Sequence, residues 1–156
     1  MASRILFSNG VFTAAAGFEQ HPVTYVSWYG ATAFASYYGW RLPTEWEWQA
    51  VADYDGSYTY GCGTTKNNSI ANYYNSDHPY GTTPVGQYGV FGYGMADMAG
   101  NVWEWTGSCY YANCDGDYRV LRGGSWDNIG YYCTVSYRPY DYPGSLGSNG
   151  GFRVCR

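Results

Sequence analysis

Apolar residues in this chain recur first at helical intervals, then without period through the middle, and finally in the alternation of strands. Downstream of Ser27, Trp28, Ala31, Phe34, Ala35 and Tyr38 fall on one helical face. Ser27 offers an N-cap hydroxyl and Gly39 a stop, so a helix is predicted over 28–38. A second helix follows in Arg41-Leu-Pro-Thr-Glu-Trp-Glu-Trp-Gln-Ala-Val-Ala, where Thr44 caps, Glu47 reaches back to complete a capping box and Pro43 sets the entry. Ahead of them, His21-Pro-Val-Thr-Tyr-Val reads as a strand running into Ser27, and residues 1–20 carry only weak strand character. From 54 to 100 Gly, Tyr, Asn, Ser and Thr dominate, more loop than a compact domain holds without something to order it. Alternation returns at Arg119-Val-Leu-Arg-Gly-Gly-Ser-Trp and at Gly151-Phe-Arg-Val, two predicted strands.

The segment between those strands is unlike either. From Asp127 to Gly150, Tyr131, Tyr132, Tyr137, Tyr140 and Tyr142 are scattered among Ser, Gly, Asp and Asn. Rigid amphipathic rings give contact area at low entropic cost and small polar residues give adaptable hydrogen bonds, so the composition is that of a binding loop. The same segment contains no Lys, Glu, Gln, Met or Trp. Those are the residue types that a codon ending in a pyrimidine cannot encode.

Composition narrows the function. The chain's 156 residues suit one domain spanning 1–156, and its net charge of −4 with no basic run argues against nucleic acid. No apolar stretch reaches the length of a membrane span, so membrane insertion is not expected, and no signal-like region follows Met1. Five cysteines are an odd number. Cys109 with Cys114 could close a small loop, Cys133 with Cys155 could tie the tyrosine-rich segment to the last strand, or all could stay reduced; no spacing suits zinc.

A series of motifs in fixed order covers roughly residues 21 to 154. It runs His21-Pro-Val-x-x-Val-Ser-Trp, Arg41-Leu-Pro-Thr-Glu-x-Glu-Trp, Thr83-Pro-Val-Gly, Tyr93-Gly-Met-x-Asp-Met-Ala-Gly-Asn-Val-Trp-Glu-Trp, Arg119-Val-Leu-Arg-Gly-Gly-Ser-Trp and Gly151-Phe-Arg. The series resembles the formylglycine-generating-enzyme (sulfatase-modifying factor) family. The resemblance implies an α+β, C-type-lectin-like fold with two helices, small antiparallel sheets and long irregular loops ordered by calcium. Within one tight run, the carboxylates of Asp97 and Glu104 and the carbonyls of Gly100 and Val102 could converge on a hard cation. The family binds one calcium at these positions. A second family site is implied at Asn72 and Asp77 with the carbonyls of Tyr73 and Pro79. One or two ions of this kind would be structural, offsetting loop entropy.

The family's oxidase works through two copper-binding cysteines five residues apart. Counting back from Arg138, the corresponding positions are about Val135 and Gly130, neither of which can supply a thiolate, and no catalytic cofactor is expected. The sulfoxide synthases of the same family use a histidine-rich helical domain for which this sequence has no counterpart. The chain instead resembles the variable proteins of diversity-generating retroelements, in which adenines of Asn-type template codons are randomised while a framework stays fixed. That would leave Gly123, Gly124, Ser125, Trp126, Cys133, Arg138, Pro143, Gly151, Phe152 and Arg153 as framework within a variable region of about 119–153. The ligand-contacting positions would be Asp127, Asn128, Ile129, Tyr131, Tyr132, Thr134, Ser136, Tyr137, Tyr140, Asp141, Tyr142, Ser145, Leu146 and Ser148. Gly-Gly-Ser-Trp and Gly-Phe-Arg are expected to pair as neighbouring strands, burying Trp126 and Phe152. The reading is a non-catalytic module for a protein or glycan target. A sugar lectin with ligand on calcium lacks its signatures here, since Glu-Pro-Asn and Gln-Pro-Asp are absent and Trp126-Asp127-Asn128 has the order reversed.

Overall fold

The computed structural model describes residues 3–74, 80–114 and 117–156. Strands β1 (Ile5–Ser8) and β2 (Val11–Ala14) form an antiparallel hairpin. Its turn is Asn9-Gly10 with φ of 52° and 80°, the conformation an Asn-Gly pair favours. Helix α1 (Trp28–Tyr37) starts where the Ser27 hydroxyl accepts from the Gly30 N–H at 3.1 Å, and Gly39 follows it at φ 70°. Its buried face is Ala31 and Ala35, small enough for Ala31 to pack with Leu42, Trp105 and Leu121. Phe34 and Tyr38, which share the apolar spacing, remain exposed. Helix α2 (Glu45–Ala52) has the full capping box between Thr44 and Glu47, braced by Arg41 at 2.6 Å from the Glu47 carboxylate.

The segment 21–26 is not a strand. Tyr25 sits at φ 56° and donates its N–H to Gly147 O at 2.9 Å, so the segment is an extended connection pinned to the last loop.

The main sheet contains β3 (Trp103–Cys109), β4 (Arg119–Arg122), β5 (Tyr140–Asp141) and β6 (Gly150–Phe152) in the order β5-β4-β3-β6. The β3–β4 and β4–β5 pairings are antiparallel, whereas β6 runs parallel to β3, correcting the expectation of antiparallel sheets alone. The predicted pairing of Gly-Gly-Ser-Trp with Gly-Phe-Arg does not form, because β3 lies between them. Strand β4 ends at Arg122 as Gly123 and Gly124 turn to φ 95° and 76°, and a Cβ on Gly124 would stand 2.6 Å from Cys133 Sγ. Trp126 and Phe152 are half-buried, not core.

Among the described residues of 54–100 there is no helix or strand. Side chains from the sequence motifs hold this stretch instead. The buried Asn101 amide accepts from Thr83 N at 3.1 Å and donates to Thr83 O at 3.2 Å, while its backbone bonds Asn72 O and the Trp126 N–H. The Glu104 carboxylate takes Arg153 from the end of the chain and the Trp48 indole from α2. Each motif thus fills the hydrogen-bonding needs of another, as buried polar groups require.

Candidate functional site

The stretch from Gly123 to Asn149 crosses the sheet, leaving β4, adding β5 at one edge and returning as β6 beyond β3. Its main chain is tied along its length. Carbonyls of Asn128, Pro139, Pro143, Gly147 and Asn149 accept from the backbone N–H groups of Tyr74, Leu121, Trp28, Tyr25 and Trp103 at 2.7–3.0 Å. Val135 N donates to Thr59 O at 2.9 Å, and the buried Arg122 guanidinium donates to Tyr137 O at 2.6 Å. These bonds use the loop's backbone, so they do not depend on which side chains the loop carries.

Burial divides the stretch. Asp127, Ile129, Tyr131, Ser136, Tyr140, Tyr142 and Leu146 are exposed, and Asn128, Tyr132, Thr134, Tyr137, Asp141, Ser145 and Ser148 are half-buried. Of the positions assigned to framework, Gly123, Gly124, Ser125, Cys133, Pro143 and Gly151 are buried, and Trp126, Arg138, Phe152 and Arg153 half-buried. A groove of about 400 Å³ opens beside the sheet. Trp103, Trp105 and Leu121 from β3 and β4 line it together with Asn128, Tyr132, Tyr137, Tyr140, Asp141, Ser145 and Leu146 from the loop.

The tyrosines form two groups of ring contacts. Tyr131, Tyr132 and Tyr137 meet edge to face with centroids 4.8–5.6 Å apart. Burial raises the Tyr137 phenol, with Tyr132 and Tyr131 adding to the effect. Tyr140 and Tyr142 join Tyr110, Tyr111 and Tyr118, with Tyr140 to Tyr110 at 4.2 Å and Tyr118 to Tyr142 at 4.5 Å. The Tyr118 and Tyr142 hydroxyls bond at 2.6 Å, which with partial burial pushes Tyr118 up to about 12. Tyr110, Tyr111 and Tyr118 lie outside the segment singled out from sequence. For Tyr110 and Tyr111 the signal was the Cys109-Tyr-Tyr-Ala-Asn-Cys114 bracket, which is a closed disulfide; Tyr118 had none. Arg138 anchors that bracket: it pairs with the buried Glu45 carboxylate, donates to Tyr110 O at 2.9 Å and lies 4.4 Å over the Tyr110 ring.

The other cysteines are free, so the Cys133–Cys155 link does not form. Cys133 is in the core with Cys62, and Cys155 pairs its backbone with Arg41 near the surface. Burial pushes Cys62 up to about 11 and Cys133 up to about 12, so both are protonated thiols.

Asp97, Gly100, Val102 and Glu104 line one cavity of about 360 Å³. Asp97 is held at φ 55° and accepts from Gly86 N at 2.7 Å. Burial raises its carboxyl, the Gly86 N–H opposes that, the Glu104 charge adds to it and Arg153 opposes it. Two carboxylates beside the single Arg153 leave an excess of negative charge, which fits an oxygen-ligated cation. The Glu104 carboxylate itself is taken by Arg153 and Trp48, leaving Asp97 and the carbonyls as the more available donors. Asn72 is buried, its amide donating to Gly81 O at 3.0 Å, and its backbone bridges Gly100, which joins the two implied sites. Tyr73 is half-buried. Asp77 and Pro79 lie outside the described residues. Among the described residues no group of three His, Cys, Asp or Glu side chains converges on a metal position.

Residues 8–156 match the family model for the sulfatase-modifying factor enzyme 1-like domain. The chain belongs to that family. Among family relatives, a serine/threonine-protein kinase pkn1 of Chlamydia caviae is 38% identical over 99% of this chain and 27% of its own length. A formylglycine-generating enzyme of Streptomyces coelicolor is 35% identical over 89% of this chain and 54% of its own. The chain thus spans about a quarter of the length of the curated relatives it matches first. Among solved structures, Treponema denticola variable protein 1 superposes with a TM-score of 0.79 at 25% identity, covering 91% of this chain and 74% of that one. The fold is C-type-lectin-like within this family. No helix among the described residues is long and apolar enough to cross a membrane.

Proposed function

We propose that this chain is a non-catalytic ligand-binding domain spanning 1–156, whose surface within about 119–153 is diversified by a retroelement on a fixed frame. The observation that carries it is the division just described: the frame grips the loop by its backbone, while the fourteen side chains named as variable all lie outside the core. Likeness to a variable protein of Treponema denticola and the five residue types missing from 127–150 support the same reading. The target is a protein or glycan surface, not nucleic acid, and the tyrosines supply its principal contacts. The test is the DNA flanking the coding region. An adenine-rich near-copy of codons 119 to 153, differing only at template adenines, is the expected result; its absence beside any reverse transcriptase contradicts the reading.

A formylglycine-type oxidase is the second reading, favoured by the Streptomyces relative. The residues here oppose it. A Cβ at Gly130 would stand 1.7 Å from Cε of Lys66, and Val135 is packed in the core with Trp48, Ala52 and Met98. Neither residue carries a thiol, and the burial of Val135 would disfavour a thiolate in its place.

Structural calcium belongs to this proposal, held by Asp97, Gly100, Val102 and Glu104, with a second ion at Asn72, Tyr73, Asp77 and Pro79. Bound calcium would supply charge compensation and loop order, with no role in contact with the target. A ligand at a hundred times its Kd stabilises by about 2.7 kcal/mol, which for a domain of this size raises the melting temperature by roughly 5–10 °C. Melting curves in calcium and in chelator are expected to differ by that order; identical curves contradict both sites.

A further inference from the structure

The groove carries a charge preference that its aromatic walls alone do not explain. Trp103, Tyr132, Tyr137 and Tyr140 line it, with Tyr137 6.1 Å from Trp103 and 4.8 Å from Tyr132 between ring centroids. Among the described residues that line it there is no Lys or Arg, and Asp141 is the one charged residue. The ion pairs among the described residues are Arg41–Glu47, Arg138–Glu45 and Arg153–Glu104, so Asp141 has no ion-pair partner among them. Arg119 stands opposite Asp141 in the β4–β5 register, but its guanidinium lies 4.2 Å over the Trp28 ring and donates to Cys109 Sγ. Asp141 Oδ1 accepts from Tyr142 N at 2.7 Å and from Ser145 Oγ at 2.8 Å, bonds that fix the carboxylate and do not use Oδ2.

Ring faces attract cations, and a fixed carboxylate within an electron-rich cleft adds a charge-assisted hydrogen bond. We infer that this groove receives a basic side chain, arginine in the first instance, from a segment of the protein target. The inference rests on the binding reading above and narrows it for this chain. A guanidinium matches the site because it stacks flat on rings and donates to a carboxylate and carbonyls at once. Tyr132, Tyr137, Tyr140 and Asp141 are all positions assigned to diversification, so the preference belongs to this variant and not to its frame.

The test is NMR titration of the intact chain with N-acetyl-arginine N-methylamide, alongside its neutral isostere from citrulline and N-acetylglucosamine. The arginine probe is expected to shift the Trp103 indole and the Tyr132 and Tyr137 ring signals, and the citrulline probe to bind about tenfold more weakly. Asp141→Asn keeps an oxygen for Tyr142 N and Ser145 Oγ while removing the charge. It is expected to weaken arginine about tenfold with an unchanged near-ultraviolet spectrum. Equal binding of arginine and citrulline, an unaffected Asp141→Asn variant, no shift by arginine, or sugar binding in its place each overturns the inference. Those failures leave diversification standing, which the flanking DNA tests separately.

Discussion

Gly100 shows how little freedom the frame allows. It holds φ 79°, and a Cβ there would lie 2.1 Å from Asn72 O, inside the contact that joins the two implied calcium loops. Gly100→Ala therefore meets both backbone strain and a collision with main chain that no rotamer relieves. The expected cost is about 3 kcal/mol or more in chemical denaturation; a loss under about 1 kcal/mol contradicts this account of the position. By contrast, Tyr131 and Leu146 are 64% and 62% exposed, which for large apolar residues in the loop means contacts left for something else to make. In the sequence, Gly100 falls within a family motif and Tyr131 and Leu146 within the tyrosine-rich segment. It did not reveal Tyr110, Tyr111 and Tyr118, because they precede the loop in sequence and meet Tyr140 and Tyr142 only once the chain is folded.

Short-range rules accounted for the helices. Ser27 and the Thr44–Glu47 box are local hydrogen-bonding devices, and they occur where their spacing put them. The Asn9-Gly10 turn is equally local, and its dipeptide is a hairpin signal that the weak strand character read over 1–20 does not use. The strands were harder because pairing is long-range. Gly-Gly-Ser-Trp alternates like a strand, yet its glycines take positive φ to let Cys133 approach, and Gly151-Phe-Arg finds its partner in β3. Tyr25 at φ 56° ended the predicted strand at 21–26 for a tertiary reason, its bond to Gly147. The capping box also makes a pH prediction. Hydrogen bonds from Arg41, then from Thr44, hold the Glu47 carboxyl at about 2, below its ordinary 4.5. A depressed carboxyl contributes stability that is fully present above pH 4.5 and is lost as pH falls through about 2. Since the pair is half-exposed, the contribution is small. The stability difference between the parent and Glu47→Gln is expected to be largest above that window and to close towards its acid end; a difference that grows on acidification contradicts it.

The molecule as a whole joins a frame to a loop that it holds chiefly by the loop's main chain. Hydrogen bonds among motifs far apart in sequence order the long middle stretch, and bonds to the main chain of the loop along its length hold it across the sheet. Family membership accounts for the frame, and the composition of 127–150 for the surface. The measurement that tests this division most directly is the folding of a pool in which the fourteen positions from Asp127 to Ser148 are randomised with pyrimidine-ending codons. Because surface substitutions usually shift stability by no more than about 0.5 kcal/mol each, most members are expected to resist protease and unfold cooperatively near the parent's midpoint. A pool in which most members fail to fold would show that these side chains hold the structure together, and would contradict the claim that the surface is free to vary.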